Sequence, residues 1–325
     1  MTSVIFMGTP EFSVPVLEGL IKNNYEIKAV VTQPDKKVGR KQKITKTPAK
    51  IAAEKHNLPV FQPVKLSGSE EMQQLIDMHA DLIVTAAYGQ FLPTKFLNSV
   101  KIAAVNVHGS LLPKYRGGAP IQYSLINGDA ETGITIMEMV KKMDAGDIYS
   151  QKAIKIEPDD NAGTLFNKLS IVGRDLLLET LPSIIDGSVK KIPQDPDKVV
   201  FSPNITKEQE RIVPTMTAAE ANNMIRALNP DPGAYMMLEG KRFKVWKAEV
   251  AKDSTDLKPG CVVANKGRFA ISFANGTVLN LLELQPSGKK KMDIKTLIKV
   301  SKLIARALLF VDNFFSWGKF TTLTI

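Results

Sequence analysis

The chain has 325 residues, 44% of them hydrophobic and 23% charged, with a formal net charge of +10 and one cysteine. That length suits two domains, each able to bury a core, while a single cysteine excludes an internal disulfide and a cysteine-rich metal site. No apolar run reaches the roughly 18–20 residues of a membrane span, and Met1-Thr2-Ser3 leads straight into Val4-Ile5-Phe6-Met7 rather than a signal peptide, so a cytoplasmic protein is expected.

The charge is unevenly spread. Residues 207–325 carry 19 Lys or Arg against 11 Asp or Glu, whereas residues 1–206 carry 24 against 22. A nearly neutral first part joined to a basic second part suits a small-ligand domain followed by one that binds a polyanion.

Val4-Ile5-Phe6-Met7 predicts a buried strand and Gly8-Thr9-Pro10 the turn after it, with Pro15 in the first turn of a helix to about Asn23. The turn lacks G-x-G-x-x-G, which excludes a dinucleotide cradle. Residues 27–32 predict a second strand. Residues 33–47 read as a polar, mobile loop with Lys36, Lys37, Arg40, Lys41, Lys43 and Lys46 opposed only by Asp35. Six cations after a strand end would overhang a ligand site there.

Helices are predicted over residues 48–56 and 69–78. His56 and His79 sit at their ends, an ordinary place for histidine, which leaves His108 as the histidine to explain. Residues 82–85 predict a buried strand that runs into Ala86-Ala87-Tyr88-Gly89. Small residues there either leave room for a flat heterocycle or pack strand against helix.

Residues 102–108 predict a further buried parallel strand. Asn106 and His108 are two apart, so they project to one side of it, just before Gly109. Open parallel sheets bind ligands at the carboxyl ends of their strands. An amide and an imidazole at that end either cap the turn that follows or serve oxyanion stabilisation and proton transfer. A helix over 119–127 follows, then an alternating strand over 132–140 that delivers Asp144 into a glycine-containing loop. A long amphipathic helix over 161–185 ends the first domain.

Residues 188–206 hold Pro193, Pro196 and Pro203 and read as a linker. A helix over 218–229 and short strands over 235–238, 241–250, 260–265, 268–273 and 277–285 come next. Five short strands and a helix in a basic segment predict an OB-like barrel. The expected fold class is α/β, a Rossmann-like, mostly parallel sheet domain over residues 1–188, a linker over 189–206, and a smaller OB-like β-barrel domain over 207–325. An apolar, aromatic tail holding Arg306 and Asp312 is too short and too charged to span a bilayer.

Asn106-Val107-His108-Gly109-Ser110-Leu111-Leu112-Pro113, followed by Arg116-Gly117-Gly118-Ala119-Pro120-Ile121-Gln122, resembles the signature of folate-dependent formyltransferases. Met143-Asp144-Ala145-Gly146-Asp147 resembles that family's second signature. With Met7-Gly8-Thr9-Pro10-Glu11-Phe12, the likeness runs to about Met292 and is greatest to members acting on aminoacylated tRNA. The ending from about residue 293 departs from it.

The resemblance implies catalytic roles for Asn106, His108 and Asp144. It implies folate contacts at Ser110, Leu111, Leu112 and Pro113, with Ala86, Ala87, Tyr88 and Gly89 around the pterin. It also sets Lys36, Lys37, Arg40, Lys41 and Lys43 against the tRNA acceptor arm, with Arg40 foremost. The substrates it implies are 10-formyltetrahydrofolate and the α-amine of initiator methionyl-tRNA, with no metal, in a monomer serving translation initiation. The same chemistry on an amino sugar or a glycinamide nucleotide is an alternative that the basic barrel and loop count against. A noncatalytic RNA-binding protein on the same scaffold is another, which the Asn106, His108 and Asp144 set counts against.

Overall fold

A computed structural model describes residues 1–39, 42–238, 240–265 and 268–300. Its contacts divide the chain into two compact units. The first contains Met1–Ile121, Ala130–Ile156 and Thr164–Asn204, and the second contains Gln122–Asp129, Glu157–Gly163 and the chain from Ile205 onward.

The first unit opens with β1 (Ser3–Gly8), all six residues buried, then α1 (Val14–Lys22) and β2 (Glu26–Val31). Burial on both faces is the mark of a strand inside a parallel sheet, and it explains the unbroken apolar run. A short ribbon follows, β3 (Lys36–Val38) and β4 (Lys43–Thr45), then α2 (Pro48–Lys55), β5 (Val60–Phe61) and α3 (Glu70–Asp77). β6 (Leu82–Ala86), α4 (Thr94–Leu97), β7 (Ala103–His108), α5 (Pro120–Ile126), β8 (Glu131–Glu138), β9 (Ile148–Lys155) and α6 (Ala162–Ile185) complete this part of the chain.

The sheet order is β5-β2-β1-β6-β7-β8-β9. It is parallel as far as β7, and β8 and β9 close it as antiparallel strands. The mostly parallel, Rossmann-like sheet expected from the sequence is present. One core face gathers Ile5, Met7, Val31 and Ile83 from the strands with Leu75 and Phe96 from helices. Thr47 and Ser69 cap α2 and α3 by accepting from Lys50 N and Met72 N, so both helices begin where their polar caps stand.

Two features differ from the sequence reading. Within residues 33–47 the chain forms a two-stranded ribbon, in which β3 and β4 pair with Lys36 opposite Thr45 and Val38 opposite Lys43. All six strand residues are exposed, so no buried face imposed the alternation by which a strand is recognised. β9 also went unsignalled, since its Ile-Tyr-Ser-Gln-Lys-Ala-Ile-Lys run is buried only at its start.

Residues 189–204 are hydrogen bonded along the first unit. Ile192 bridges Ile148, and Phe201 bridges Arg116. Arg116 N donates to Val200 O, and Ser202 N donates back to Arg116 O.

The second unit contains α7 (Ala218–Ala227), opened by a Thr217–Glu220 capping box. After it come β10 (Tyr235–Leu238), β11 (Lys241–Val250), β12 (Val262–Asn265), β13 (Arg268–Ser272), β14 (Val278–Pro286), β15 (Met292–Asp293) and α8 (Ile294–Val300). All pairings are antiparallel, in the order β10-β11-β14-β13-β12, and β15 adds to the later part of β14. This is the smaller barrel-like sheet, a half-barrel rather than a closed one. Its core packs Ile225 of α7 against Phe243, Val245, Leu279 and Leu281. The apolar tail beyond residue 300 lies outside the described residues.

Candidate active site

The site assembles where β6 and β7 end side by side. Their parallel register sets Thr85 opposite Asn106. Thr85 is 3% exposed, and its Oγ1 donates to Asn106 Oδ1 at 2.7 Å. With the amide oxygen occupied, the side-chain NH2 is what Asn106 offers to the cleft it lines.

His108 stands two residues on, on the same side, and is 5% exposed. Its Nε2 donates to the Tyr115 carbonyl at 2.9 Å. A carbonyl can only accept, so Nε2 holds a proton and Nδ1 is the nitrogen with a free lone pair in the neutral ring. Nδ1 faces Asp144 Oδ1 at 3.8 Å, too far for a direct hydrogen bond. The imidazole is therefore aimed by a backbone carbonyl rather than by the carboxylate.

Asp144 has a left-handed backbone, φ 48°. Its Oδ2 accepts from Gly117 N at 2.9 Å, which leaves Oδ1 for the imidazole. Gly117 itself has φ 130°, and a Cβ there would stand 2.5 Å from Ser202 O. At Gly146 a Cβ would collide with the Glu138 carbonyl. These two approaches explain glycine in the R-G-G and M-D-A-G-D motifs.

Asn106, His108 and Asp144 line one cavity of about 530 Å3, within the size range of small-molecule sites. Thr85, Ala87, Tyr88 and Gly89 form one wall, and Gly109, Gly117 and Gly118 another. Ala87 and Gly89 are left-handed, with φ 51° and 89°. At the rim, Phe91, Val140 and Met143 are exposed apolar side chains.

The other expected contacts are placed differently. Ala86 is buried in β6 and absent from the cavity wall, as alternation with Thr85 requires. The Tyr88 ring joins the core of the sheet. Its hydroxyl has no hydrogen-bond partner among the described residues, and burial pushes its pKa up to about 12. Ser110, Leu111, Leu112 and Pro113 lie beyond the cavity wall. There Ser110 Oγ donates to Lys114 O, Leu112 N donates to Thr135 Oγ1, and Leu112 packs on Met137 and Ile148. Lys36, Lys37 and Lys43 are exposed on the β3–β4 ribbon, and Arg40 and Lys41 lie outside the described residues.

The feet of that ribbon are pinned. Lys50 Nζ and Gln62 Nε2 both donate to the Asp35 carboxylate, at 2.8 and 2.7 Å, and hold it below its ordinary pKa. Thr32 and Thr47 share a buried hydroxyl hydrogen bond of 2.8 Å. Sequence reasoning missed Thr85, Tyr115 and Gln194. Thr85 could have been found as the last inward residue of its strand, whereas Gln194 carries no signal within a proline-rich segment. Among the described residues no group of three or more His, Cys, Asp or Glu could hold a metal ion, and no helix is long and apolar enough to cross a membrane.

Residues 1–181 match the family model for formyl transferase, and residues 204–302 match that for the formyl transferase C-terminal domain. The chain belongs to the formyl transferase family. Among its relatives, the methionyl-tRNA formyltransferase of Lactobacillus acidophilus is 86% identical over 298 residues, 92% of this chain and 95% of that protein. The methionyl-tRNA formyltransferase of Lactobacillus gasseri is 69% identical over 91% of this chain and 94% of its own length. Among solved structures, an N-formyltransferase from Helicobacter canadensis superposes with a TM-score of 0.67 at 19% identity, covering 88% of this chain and all of that one. In this formyl transferase the second signature supplies Asp144, and the first supplies both Asn106 and His108.

Proposed function

We propose that this formyl transferase moves the formyl group of 10-formyltetrahydrofolate to the free α-amine of initiator methionyl-tRNA. The products are N-formylmethionyl-tRNA and tetrahydrofolate. The observation that carries the reading is the convergence of Asn106, His108 and Asp144 on one cavity, in a chain 86% identical to a methionyl-tRNA formyltransferase.

The amine nitrogen attacks the formyl carbon, and the carbonyl oxygen gains negative charge. The NH2 of Asn106, held by Thr85, donates to that oxygen, the kind of contribution that dominates acyl transfer. Nδ1 of His108 and Oδ1 of Asp144 face each other across 3.8 Å with room for the proton the amine gives up. When the C–N10 bond of the folate breaks, N10 takes a proton and leaves. No acyl-enzyme is needed, because a deprotonated amine is already a competent nucleophile. All three groups come from one unit of one chain, so transfer needs no residue of a second copy, and we take the protein to act as a monomer. The Ala87–Gly89 wall accepts the pterin in this reading, and Ser110, Leu111, Leu112 and Pro113 remain folate contacts on the family resemblance alone.

The tRNA is held through its phosphates. The Lys36, Lys37, Lys43 ribbon serves the acceptor end. The second unit offers a separate basic, aromatic face, where the Arg242 guanidinium lies 3.7 Å from the Tyr235 ring centre and Lys244 and Lys291 each lie 5.5 Å from that of Trp246. Stacked cations of this kind suit a polyanion.

The test is a product assay with 10-formyltetrahydrofolate and three acceptors, methionyl-tRNA, a nucleotide-linked amino sugar and a glycinamide nucleotide. Formylation of methionyl-tRNA alone is expected. Formylation of either small acceptor in its place, or of none, overturns the reading.

A further inference from the structure

Gln194 sits in the segment that composition marks as a linker, yet all four hydrogen-bonding positions of its amide that point at protein are used. Nε2 donates to Asp144 O at 2.9 Å and to Gly146 O at 2.7 Å. Oε1 accepts from Arg116 Nε at 3.0 Å and from Arg116 Nη2 at 2.9 Å. Arg116 is 5% exposed, and the next residue, Gly117, donates to Asp144 Oδ2.

One side-chain amide thus joins the two loops that carry the family's signatures. On one side it fixes the backbone on which Asp144 rides, a residue held in a left-handed conformation. On the other it accepts from two nitrogens of the guanidinium whose neighbour fixes the Asp144 carboxylate. The segment is itself anchored, through Ile192 to Ile148 and through Phe201 to Arg116.

We infer that Gln194 is a positioning residue for formyl transfer: through its bonds to Asp144 O and Gly146 O it fixes the distance between the Asp144 carboxylate and His108 Nδ1. It is not among the residues that line the cavity. It acts through Asp144, so its loss changes the chemical step and not the binding of either substrate. The inference rests on the proposed transfer reaction.

The experiment compares the full-length protein with Gln194→Met, which keeps length but removes every polar bond, and with Gln194→Glu, which keeps an acceptor for Arg116 but loses both donors. Each is measured for kcat and KM with methionyl-tRNA, for tetrahydrofolate affinity and for thermal unfolding. Both variants should lose roughly 10–100-fold in kcat, the scale of a misplaced reacting group, with KM and folate affinity within about twofold of wild type. In an Asp144→Asn background, the Gln194 substitutions should cost nothing further, because groups that act as a unit are non-additive.

A Gln194→Glu protein with wild-type kcat overturns the inference, as it shows that only the bond to Arg116 matters. A loss in kcat that multiplies with that of Asp144→Asn overturns it too. If Gln194→Met does not fold, Gln194→Glu and its double variant decide the matter alone. A wild-type protein that formylates no methionyl-tRNA defeats the proposed reaction instead, a result distinguishable from either.

Discussion

His108 gives its Nε2 proton to the Tyr115 carbonyl at 2.9 Å, and that contact leaves Nδ1 as the nitrogen facing Asp144 across 3.8 Å. Tyr115 O also accepts from Ser202 Oγ at 3.1 Å, so the carbonyl that aims the ring is itself fixed. Nδ1 and a carboxylate oxygen are both acceptors, and a proton between them satisfies both. The arrangement waits for the proton that an attacking amine releases.

Asp144→Asn tests this directly. The amide oxygen can still accept from Gly117 N, so the loop survives, but the negative charge opposite Nδ1 is gone. Turnover should fall by roughly 10²–10⁴, and the same is expected of His108→Ala. Tetrahydrofolate affinity, read by calorimetry, should be unchanged. Wild-type turnover in either variant would remove that residue from the reaction.

Thr85→Val probes the other side of the site. Valine matches threonine in shape but cannot donate to Asn106 Oδ1, so the amide loses the contact that turns its NH2 to the cleft. A loss of roughly tenfold in kcat is expected, below the 10²–10³ or so for Asn106→Ala. Combined, the two should cost no more than Asn106→Ala alone. A fully multiplicative double variant would mean that Thr85 acts independently of Asn106.

The sequence reveals strands that are buried on both faces and motifs whose glycines admit no substitute. β1, β6 and β7 each begin with or contain a largely buried apolar run, residues 4–7, 82–84 and 103–105, and Gly117 and Gly146 stand where a Cβ would strike a carbonyl. What it hides depends on partners distant in the chain. Thr85 matters because β6 lies beside β7, and Gln194 because residues 189–204 return to the sheet. The β3–β4 ribbon escapes notice because an exposed strand has no apolar face to advertise it. The burial of the Tyr88 hydroxyl is hidden too, since it depends on what packs around the ring.

Tyr88→Phe follows from that last point. The hydroxyl is buried without a partner among the described residues, an arrangement that costs about 1–3 kcal/mol. Removing it should hold or raise stability, by up to about 2–4 °C in Tm per kcal/mol recovered. Transfer activity should change little, because the ring that lines the cavity is kept and only its buried hydroxyl is lost. A clear fall in Tm would mean that the hydroxyl has a partner in solution.

Asp81 ties the start of β6 to that of β1. Its carboxylate accepts from Ser3 N at 2.8 Å and Ser3 Oγ at 2.7 Å, with Lys101 Nζ at 3.3 Å. The Ser3 hydrogen bonds, backbone first, hold its pKa down at about 2. A depressed folded-state pKa means that this stabilisation is complete above the unfolded value near 4 and is lost as pH falls towards 2. Asp81→Asn should lower Tm by about 2–4 °C at neutral pH, the scale of one hydrogen bond. The gap from wild type should close between about pH 4 and pH 2. A gap constant over that range would show that the charge of Asp81 contributes nothing.

The β3–β4 ribbon is the last test, because hydrogen bonds fix both of its ends. Asp35 is clamped by Lys50 and Gln62 at one foot, and Thr47 by Thr32 at the other. Lys36, Lys37 and Lys43 are thereby carried out from the end of β2, on exposed strands whose own packing needs none of them. Replacing all three with glutamine should leave Tm and tetrahydrofolate affinity as they are. Each phosphate contact contributes roughly 0.7–0.9 to the slope of log affinity against log salt. The triple variant should therefore lose about 2–3 from the slope for methionyl-tRNA, together with affinity at low salt. The slope that remains belongs to other cations, including Arg242, Lys244 and Lys291 on the second unit. An unchanged slope would mean that the ribbon points its lysines away from the tRNA, and that the second unit holds the phosphates without it.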